Sequence, residues 1–106
     1  MGISQSLINE VVQRILSIVE PQQIILFGSA ATENMTKDSD IDLLVLKSKS
    51  SDTRKESVSI RQAMRGLGYP FDIIVMDVKR FEESKNIIGG IAYPANKYGK
   101  IIYEAA

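Results

Sequence analysis

Two short motifs, ten residues apart, carry the side chains of this chain that are best suited to chemistry. A Gly-Ser pair, Gly28 and Ser29, comes directly after an apolar run, and Asp40 and Asp42 follow with one residue between them. Alternate residues of a strand point to the same side, so we expect the two aspartates to project together. Two carboxylates this close repel each other unless a cation lies between them, and Mg²⁺ prefers oxygen ligands. The Asp-x-Asp pair therefore predicts a magnesium site.

The Gly-Ser pair is suited to an anion rather than to a metal. Gly28 has no side chain, so backbone can approach a phosphate closely. Ser29 follows at the predicted start of a short helix, where free N–H groups and the helix dipole favour an anion. One end of the segment is thus typical of a triphosphate site and the other of its metal ion. Ser39, beside Asp40, has two interpretations, a turn residue and a further nucleotide contact.

A third carboxylate, Asp72, opens a neighbouring predicted strand and can complete the site. Because the chain has no histidine, Asp72 is the candidate that orients or deprotonates an attacking hydroxyl. A carboxylate that only lies at a strand edge is the alternative. Asp77 closes the same strand and, by parity, faces the opposite side, so we assign the role to Asp72.

Composition narrows the classes of protein to consider. The 106 residues predict a single domain, 1–106, and equal counts of basic and acidic residues, 13 each, argue against general nucleic-acid binding. The absence of cysteine and histidine excludes disulfides, thiolate sites and histidine-based triads. No apolar run is long enough for a membrane span and no signal-peptide pattern opens the chain, which predicts a cytoplasmic protein.

The elements that position these residues follow from hydrophobic periodicity. Helices are predicted over 4–19, 29–34, 53–67 and 79–87, and strands over 23–27, 41–47, 71–77 and 100–104. Ser4 or Ser6 is the expected cap of the first helix, and Thr53 with Glu56 has capping-box spacing for the third. Pro94 is expected to break the segment after Gly89 and Gly90. The order predicts an α/β (α+β) fold, a mixed sheet with helices packed on it.

The combined motif resembles the signature of the DNA polymerase β-type nucleotidyltransferase superfamily. Gly-Ser and Asp-x-Asp stand at the matching spacing within "IILFGS" and "SDIDLLV", and the small size and the tail resemble the minimal nucleotidyltransferase (MNT) branch. The resemblance covers nearly the whole chain. It implies a nucleotidyltransferase fold with a four- to five-stranded mixed sheet, two Mg²⁺ ions and ATP as substrate.

Carried over residue by residue, the resemblance implies roles for five positions. Gly28 and Ser29 would bind the β- and γ-phosphates, Asp40 and Asp42 would be metal ligands, and Asp72 would be the third carboxylate. One departure concerns positions 30 to 33, which read Ala-Ala-Thr-Glu where many family members have Arg-Ala-Arg-Gly. The loss of two arginines predicts weaker triphosphate binding, whereas the intact carboxylates predict that activity survives.

The resemblance also implies a partner. Many MNT proteins lie beside a separately encoded helical HEPN protein, and some of these pairs are toxin–antitoxin systems in which AMP is added to a tyrosine of the toxin. The primary hypothesis is therefore a Mg²⁺-dependent transferase of AMP to a hydroxyl of a HEPN-type protein. Two alternatives stay open, an antitoxin that neutralises its partner by binding alone and a transferase acting on an aminoglycoside-like small molecule or an RNA end.

Overall fold

The computed structural model describes residues 3–31, 39–48 and 52–106, which contain one four-stranded sheet with helices on both faces. The helices are α1 (Gln5–Leu16), α2 (Thr53–Ala63), α3 (Val78–Ser84) and α4 (Ala92–Tyr98), and the strands are β1 (Gln23–Phe27), β2 (Ile41–Lys47), β3 (Phe71–Asp77) and β4 (Lys100–Glu104). No helix in these ranges is long and apolar enough to cross a membrane.

The sheet has the order β3-β2-β1-β4 and is mixed. β1 runs antiparallel to both β2 and β4, whereas β2 and β3 are parallel. All four strands have the predicted bounds, and the predicted mixed sheet with helices packed on it is confirmed. Since β2 and β3 are parallel, the residues that begin them lie at the same edge of the sheet.

β1 and β2 are apolar because helices cover both of their faces. Alternate residues of β2, Ile41, Leu43 and Val45, pack in a cluster with residues of α1 and α2. The residues between them, Leu44 and Leu46, pack on the other face with residues of α3 and α4. The predicted alternation of faces along β2 is confirmed, and it places Asp42 on the face that Leu44 continues.

α1 begins as predicted but ends three residues early. The hydroxyl of Ser4 accepts a hydrogen bond from the backbone N–H of Leu7 at 3.2 Å, which identifies Ser4 as the cap. After Leu16 the backbone tightens, since the N–H of Ile18 donates to the carbonyl of Ile15 at 3.0 Å. The N–H of Val19 donates to the same carbonyl at 3.0 Å, and these two bonds close the end of the helix before Pro21 is reached.

The predicted capping box of α2 is wrong. The cap is Asp52, whose carboxylate accepts from the N–H of Lys55 at 3.0 Å, and Thr53 is the first helical residue. Glu56 instead forms an ion pair with Lys47 of β2. The helix ends at Ala63 rather than at 67, because the following turn reaches Gly66 in a left-handed conformation, φ 88°.

Three further expectations are corrected, two in the C-terminal half of the chain and one at the Gly-Ser pair. Pro94 lies inside the first turn of α4, where its missing N–H costs no helical hydrogen bond. α3 spans Val78–Ser84, shorter than the predicted 79–87 at its end. The predicted helix at 29–34 is a single 3₁₀ turn over Gly28–Ala30, and residues 32–34 of that prediction lie outside the described residues.

Candidate active site

Asp42 and Asp72 are direct partners in the parallel ladder between β2 and β3. Each is the second residue of its strand, and the N–H of Ile41 donates to the carbonyl of Pro70 at 2.9 Å just before the pair. Asp40 precedes β2 by one residue. Two of the three predicted carboxylates are thus neighbours at the edge where both strands begin, and the third lies at the same edge. The sequence offered no signal for this register.

Gly28 directly follows β1 and lies against Asp42. Its neighbour Phe27 is the register partner of Asp42, and Gly28 itself has φ 72°. A Cβ at position 28 would overlap Oδ2 of Asp42 and would lie 3.2 Å from its Cγ. The sequence predicted a phosphate-binding role alone for Gly28; the structure adds that this glycine makes room for the carboxylate of Asp42.

The charges at this edge act on one another. Burial raises the pKa of the Asp42 carboxyl above its ordinary value, and the negative charges of Asp72 and then of Asp40 raise it further. Asp42 is half-buried, whereas Asp40 and Asp72 are exposed. The three carboxylates therefore concentrate negative charge around Asp42, and a bound cation would lower its electrostatic cost.

The donor chemistry fits Mg²⁺, although the described residues do not hold a closed metal cage. Within 3–31, 39–48 and 52–106, no three His, Cys, Asp or Glu side chains are gathered into a cluster able to hold a metal ion. Mg²⁺ typically uses one or two carboxylates and completes its shell with water and substrate phosphates. The Asp42–Asp72 pair, with Asp40 beside it, meets that smaller requirement.

The two candidate serines flank the carboxylates. Ser29 is half-buried in the 3₁₀ turn, and Ser39 is half-buried directly before Asp40. A three-residue 3₁₀ turn has far less dipole than a full α-helix, so the predicted helix-dipole contribution at Ser29 is small. Any anion there would depend on the backbone N–H groups and the hydroxyl.

Two of the four positions of the usual Arg-Ala-Arg-Gly sequence, 30 and 31, lie in the core. Ala30 and Ala31 are buried, and both belong to the cluster that packs against α1 and α2. Positions 32 and 33 lie outside the described residues. Among the described residues, no arginine or lysine replaces the missing family arginines within the 3₁₀ turn.

Asp77, which parity placed on the other side from Asp72, caps α3 by accepting a hydrogen bond from the N–H of Lys79 at 2.8 Å.

The chain matches the model of a known protein family. The family described as "Polymerase beta, Nucleotidyltransferase" matches residues 9–105. No curated protein matches the chain.

Solved structures extend this similarity to the fold. A structure described as a toxin-antitoxin with AMP-PNP aligns with a TM-score of 0.73 at 19% identity, covering 92% of this chain and 73% of that one. A complex of tri-AMPylated Shewanella oneidensis HEPN toxin with MNT antitoxin gives 0.66 at 19%, covering 97% and 74%. A nucleotidyltransferase structure from Sulfolobus solfataricus gives 0.60 at 20%, covering 98% and 92%. At these identities the similarity establishes a shared fold.

Proposed function

This chain belongs to the polymerase beta nucleotidyltransferase family, and we propose that it transfers AMP from ATP to a hydroxyl of a protein partner in the cytoplasm. One observation carries the proposal. Asp42 and Asp72 are paired in register at the start of two parallel strands, and Gly28 lies against Asp42. This arrangement combines a cation-attracting carboxylate pair with a glycine-containing turn in one place, which is what a nucleotide and its metal require.

Each residue has a role in this proposal. Asp40 and Asp42 hold Mg²⁺, with Asp72 as the third carboxylate; when bound, the ion neutralises charge on the phosphates. Gly28 and Ser29 contact the β- and γ-phosphates, and Ser39 is a candidate for a further nucleotide contact.

Asp72 is the residue closest to the acceptor in this proposal. Its exposed carboxylate accepts the proton of the attacking hydroxyl, because no histidine is present in the chain. The acceptor oxygen forms a bond to the α-phosphorus of ATP while the bond from that phosphorus to the departing pyrophosphate breaks. AMP thereby becomes linked to the acceptor, and pyrophosphate is released.

The partner we propose is a separately encoded HEPN-type protein, with this chain as its antitoxin. Support comes from the structural neighbours, of which one is an MNT antitoxin in complex with a tri-AMPylated HEPN toxin. The chain spans about three quarters of the length of that neighbour, 74%. The shared fold and the retained carboxylates favour the same kind of chemistry here.

The test is intact-protein mass spectrometry of the partner after incubation with this protein, ATP and Mg²⁺. A gain of one or more AMP units is expected, and it should be absent with the Asp40→Asn/Asp42→Asn protein. The matched control is Glu82→Gln/Glu83→Gln, which removes the same number of negative charges from exposed positions of α3. Transfer that persists undiminished in the aspartate variant would refute the mechanism.

A second function is favoured by one observation, the buried alanine at position 30 where many family members carry arginine. A site with fewer cations holds a triphosphate less well, which suits an antitoxin that neutralises its partner by binding alone. In that case the inhibition of the partner would persist without ATP and with the Asp40→Asn/Asp42→Asn protein. Labelled ATP offered with the partner, an aminoglycoside and an RNA end together would identify any other acceptor.

A further inference from the structure

A cleft of about 380 Å³ opens between the C-terminal half of α2 and the start of β3. The side chains that matter for its chemistry are two arginines, two aromatic rings and one aliphatic residue: Arg61, Arg65, Tyr69, Phe71 and Val58. Phe71 is buried and Tyr69 half-buried, while Val58 keeps 48% of its surface exposed. The cleft thus has an aromatic floor and an open aliphatic rim.

The charge of this cleft has one sign. Arg61 lies in the last turn of α2, Arg65 lies in the turn that follows the helix, and both are exposed. The residues that line the cleft include no aspartate or glutamate. Throughout the described ranges, the ion pairs involve other residues, so neither guanidinium is neutralised by a carboxylate of those ranges. A binding partner with carboxylates would complement both.

The backbone under the cleft is held in place. Arg14 of α1 donates from Nη1 to the carbonyls of Ala63 and Arg65, both at 2.9 Å. These bonds hold the end of α2, which carries Arg61, and the turn after it, which contains Arg65. Two guanidinium groups on an anchored segment lose less freedom on binding than groups on a free loop.

The cleft and the candidate active site lie on opposite faces of the sheet and share the start of β3. Phe71, in the cleft, and Asp72, at the site, are consecutive residues of β3, so their Cα atoms are about 3.8 Å apart. They point to opposite faces, and β3 is an edge strand of the sheet. A peptide that crosses this edge can therefore contact the cleft and reach Asp72 within a few residues.

We propose that this cleft binds an acidic peptide segment of the acceptor protein and so presents the acceptor hydroxyl to Asp72. The assignment to an acceptor rests on the proposed function, whereas the binding of an acidic peptide does not. A peptide is favoured over RNA because the cleft offers only two arginines above an aromatic and aliphatic surface. Nucleic-acid binding usually requires a longer series of cations that follows the phosphates.

The test uses a fluorescein-labelled peptide of alternating Glu and Tyr, with a Lys-Tyr peptide and single-stranded oligouridylate as comparison probes, measured by fluorescence anisotropy. Arg61→Gln/Arg65→Gln should weaken Glu-Tyr binding by roughly tenfold, the sum of two exposed charge contacts. Arg54→Gln/Lys55→Gln is the matched control, since it removes two exposed positive charges from the other end of α2. This control should change the affinity by less than about twofold.

The outcomes separate the inference from the proposed function. Selective loss in the Arg61/Arg65 variant supports the inference, and wild-type binding that persists in the Asp40→Asn/Asp42→Asn protein supports it even if no AMP is transferred. The inference would be overturned if the Glu-Tyr peptide did not bind, or if both double variants lost affinity for it equally. Tighter binding of oligouridylate or of the Lys-Tyr peptide would also overturn it. Thermal unfolding of each variant confirms that a loss of binding is not a loss of fold.

Discussion

The carboxylate of Asp42 occupies the space that a side chain at position 28 would need, so Gly28 and Asp42 are sterically linked. Gly28 directly follows β1, and Phe27, the last residue of β1, is the register partner of Asp42 in the antiparallel strand β2. A Gly-Ser motif and an Asp-x-Asp motif that are separate in the sequence therefore form one unit. Any side chain introduced at position 28 should first displace the Asp42 carboxylate.

Replacing Gly28 with alanine should cost more than its backbone conformation alone explains. Gly66 provides the comparison, because it also has a positive φ but a Cβ added there would meet no other described residue within 4 Å. We expect Gly66→Ala to lower the free energy of unfolding by about 1 kcal/mol, the cost of a left-handed alanine. Gly28→Ala should lower it by roughly 1–3 kcal/mol more, through overlap with Asp42. Urea unfolding measures both, and equal costs would contradict the steric link.

The charge of Asp42 should destabilise the protein in the absence of metal. In the folded state its pKa is raised by burial, by Asp72 and by Asp40. Protonation of Asp42 therefore stabilises the folded state; this contribution to the free energy of unfolding is complete below the unfolded pKa and is lost as pH rises through the folded pKa. Asp42→Asn should therefore raise the melting temperature at pH 7, and this gain should shrink as pH falls towards about 4. Glu83→Gln, at an exposed position of α3, is the control. A gain that is constant over this pH range would show that charge is not its cause.

Bound magnesium should offset the destabilisation that the charge of Asp42 causes in the wild-type protein. A cation that binds the folded state stabilises it to an extent set by its concentration and affinity, so millimolar Mg²⁺ should raise the melting temperature of the wild type. The Asp40→Asn/Asp42→Asn protein should show a much smaller rise. NaCl at the same ionic strength separates specific binding from screening. An equal response of both proteins to Mg²⁺ would remove these aspartates from the ligand set.

Asp72 should matter for transfer more than for nucleotide binding. If it accepts the proton of the attacking hydroxyl, Asp72→Asn should slow AMP transfer by roughly 10²- to 10⁴-fold. The affinity for ATP, measured by calorimetry with Mg²⁺ present, should change little by comparison. A loss of ATP binding as large as the loss of transfer would instead make Asp72 primarily a metal ligand.

Arg14 should be a main connection between α1 and α2. Its Nη1 donates to the carbonyl of Ala63, the last residue of α2, and to that of Arg65 in the following turn. Its Nε forms an exposed ion pair with Glu10 at 3.0 Å. Arg14→Ala should lower the free energy of unfolding by about 1.5–3 kcal/mol, as expected for charged hydrogen bonds. Glu10→Gln removes only the exposed pair and should cost less than about 0.5 kcal/mol. Similar costs for the two variants in urea unfolding would show that the carbonyl contacts contribute little.

Much of the local structure could be predicted from the sequence by itself. The four strands have their predicted bounds because short apolar runs that end at glycine or polar residues are strongly typical of buried strands. The two faces of β2 also followed from alternation alone, since the side chains of a strand point to opposite sides. The family could be inferred as well, because the spacing of Gly-Ser and Asp-x-Asp is itself a sequence property.

Local competition between similar residues was decided only by the fold. Asp52 and Thr53 are adjacent and both are good helix caps, so propensity did not separate them. The ion pair of Glu56 with Lys47 joins α2 to β2 and leaves the cap to Asp52. Pro94 is similar, because a proline ends a helix or occupies its first turn according to where packing lets the helix begin.

Relations across the sheet were decided by tertiary structure as well. Three of these relations join residues that are distant in the chain. They are the pairing of Asp42 with Asp72, the fit of Gly28 to Asp42, and the position of Arg61 and Arg65 beside β3. Residue types and spacing predict which side chains can do chemistry. Strand register and helix packing determine which of them meet, because these depend on how apolar faces from separate segments are buried together.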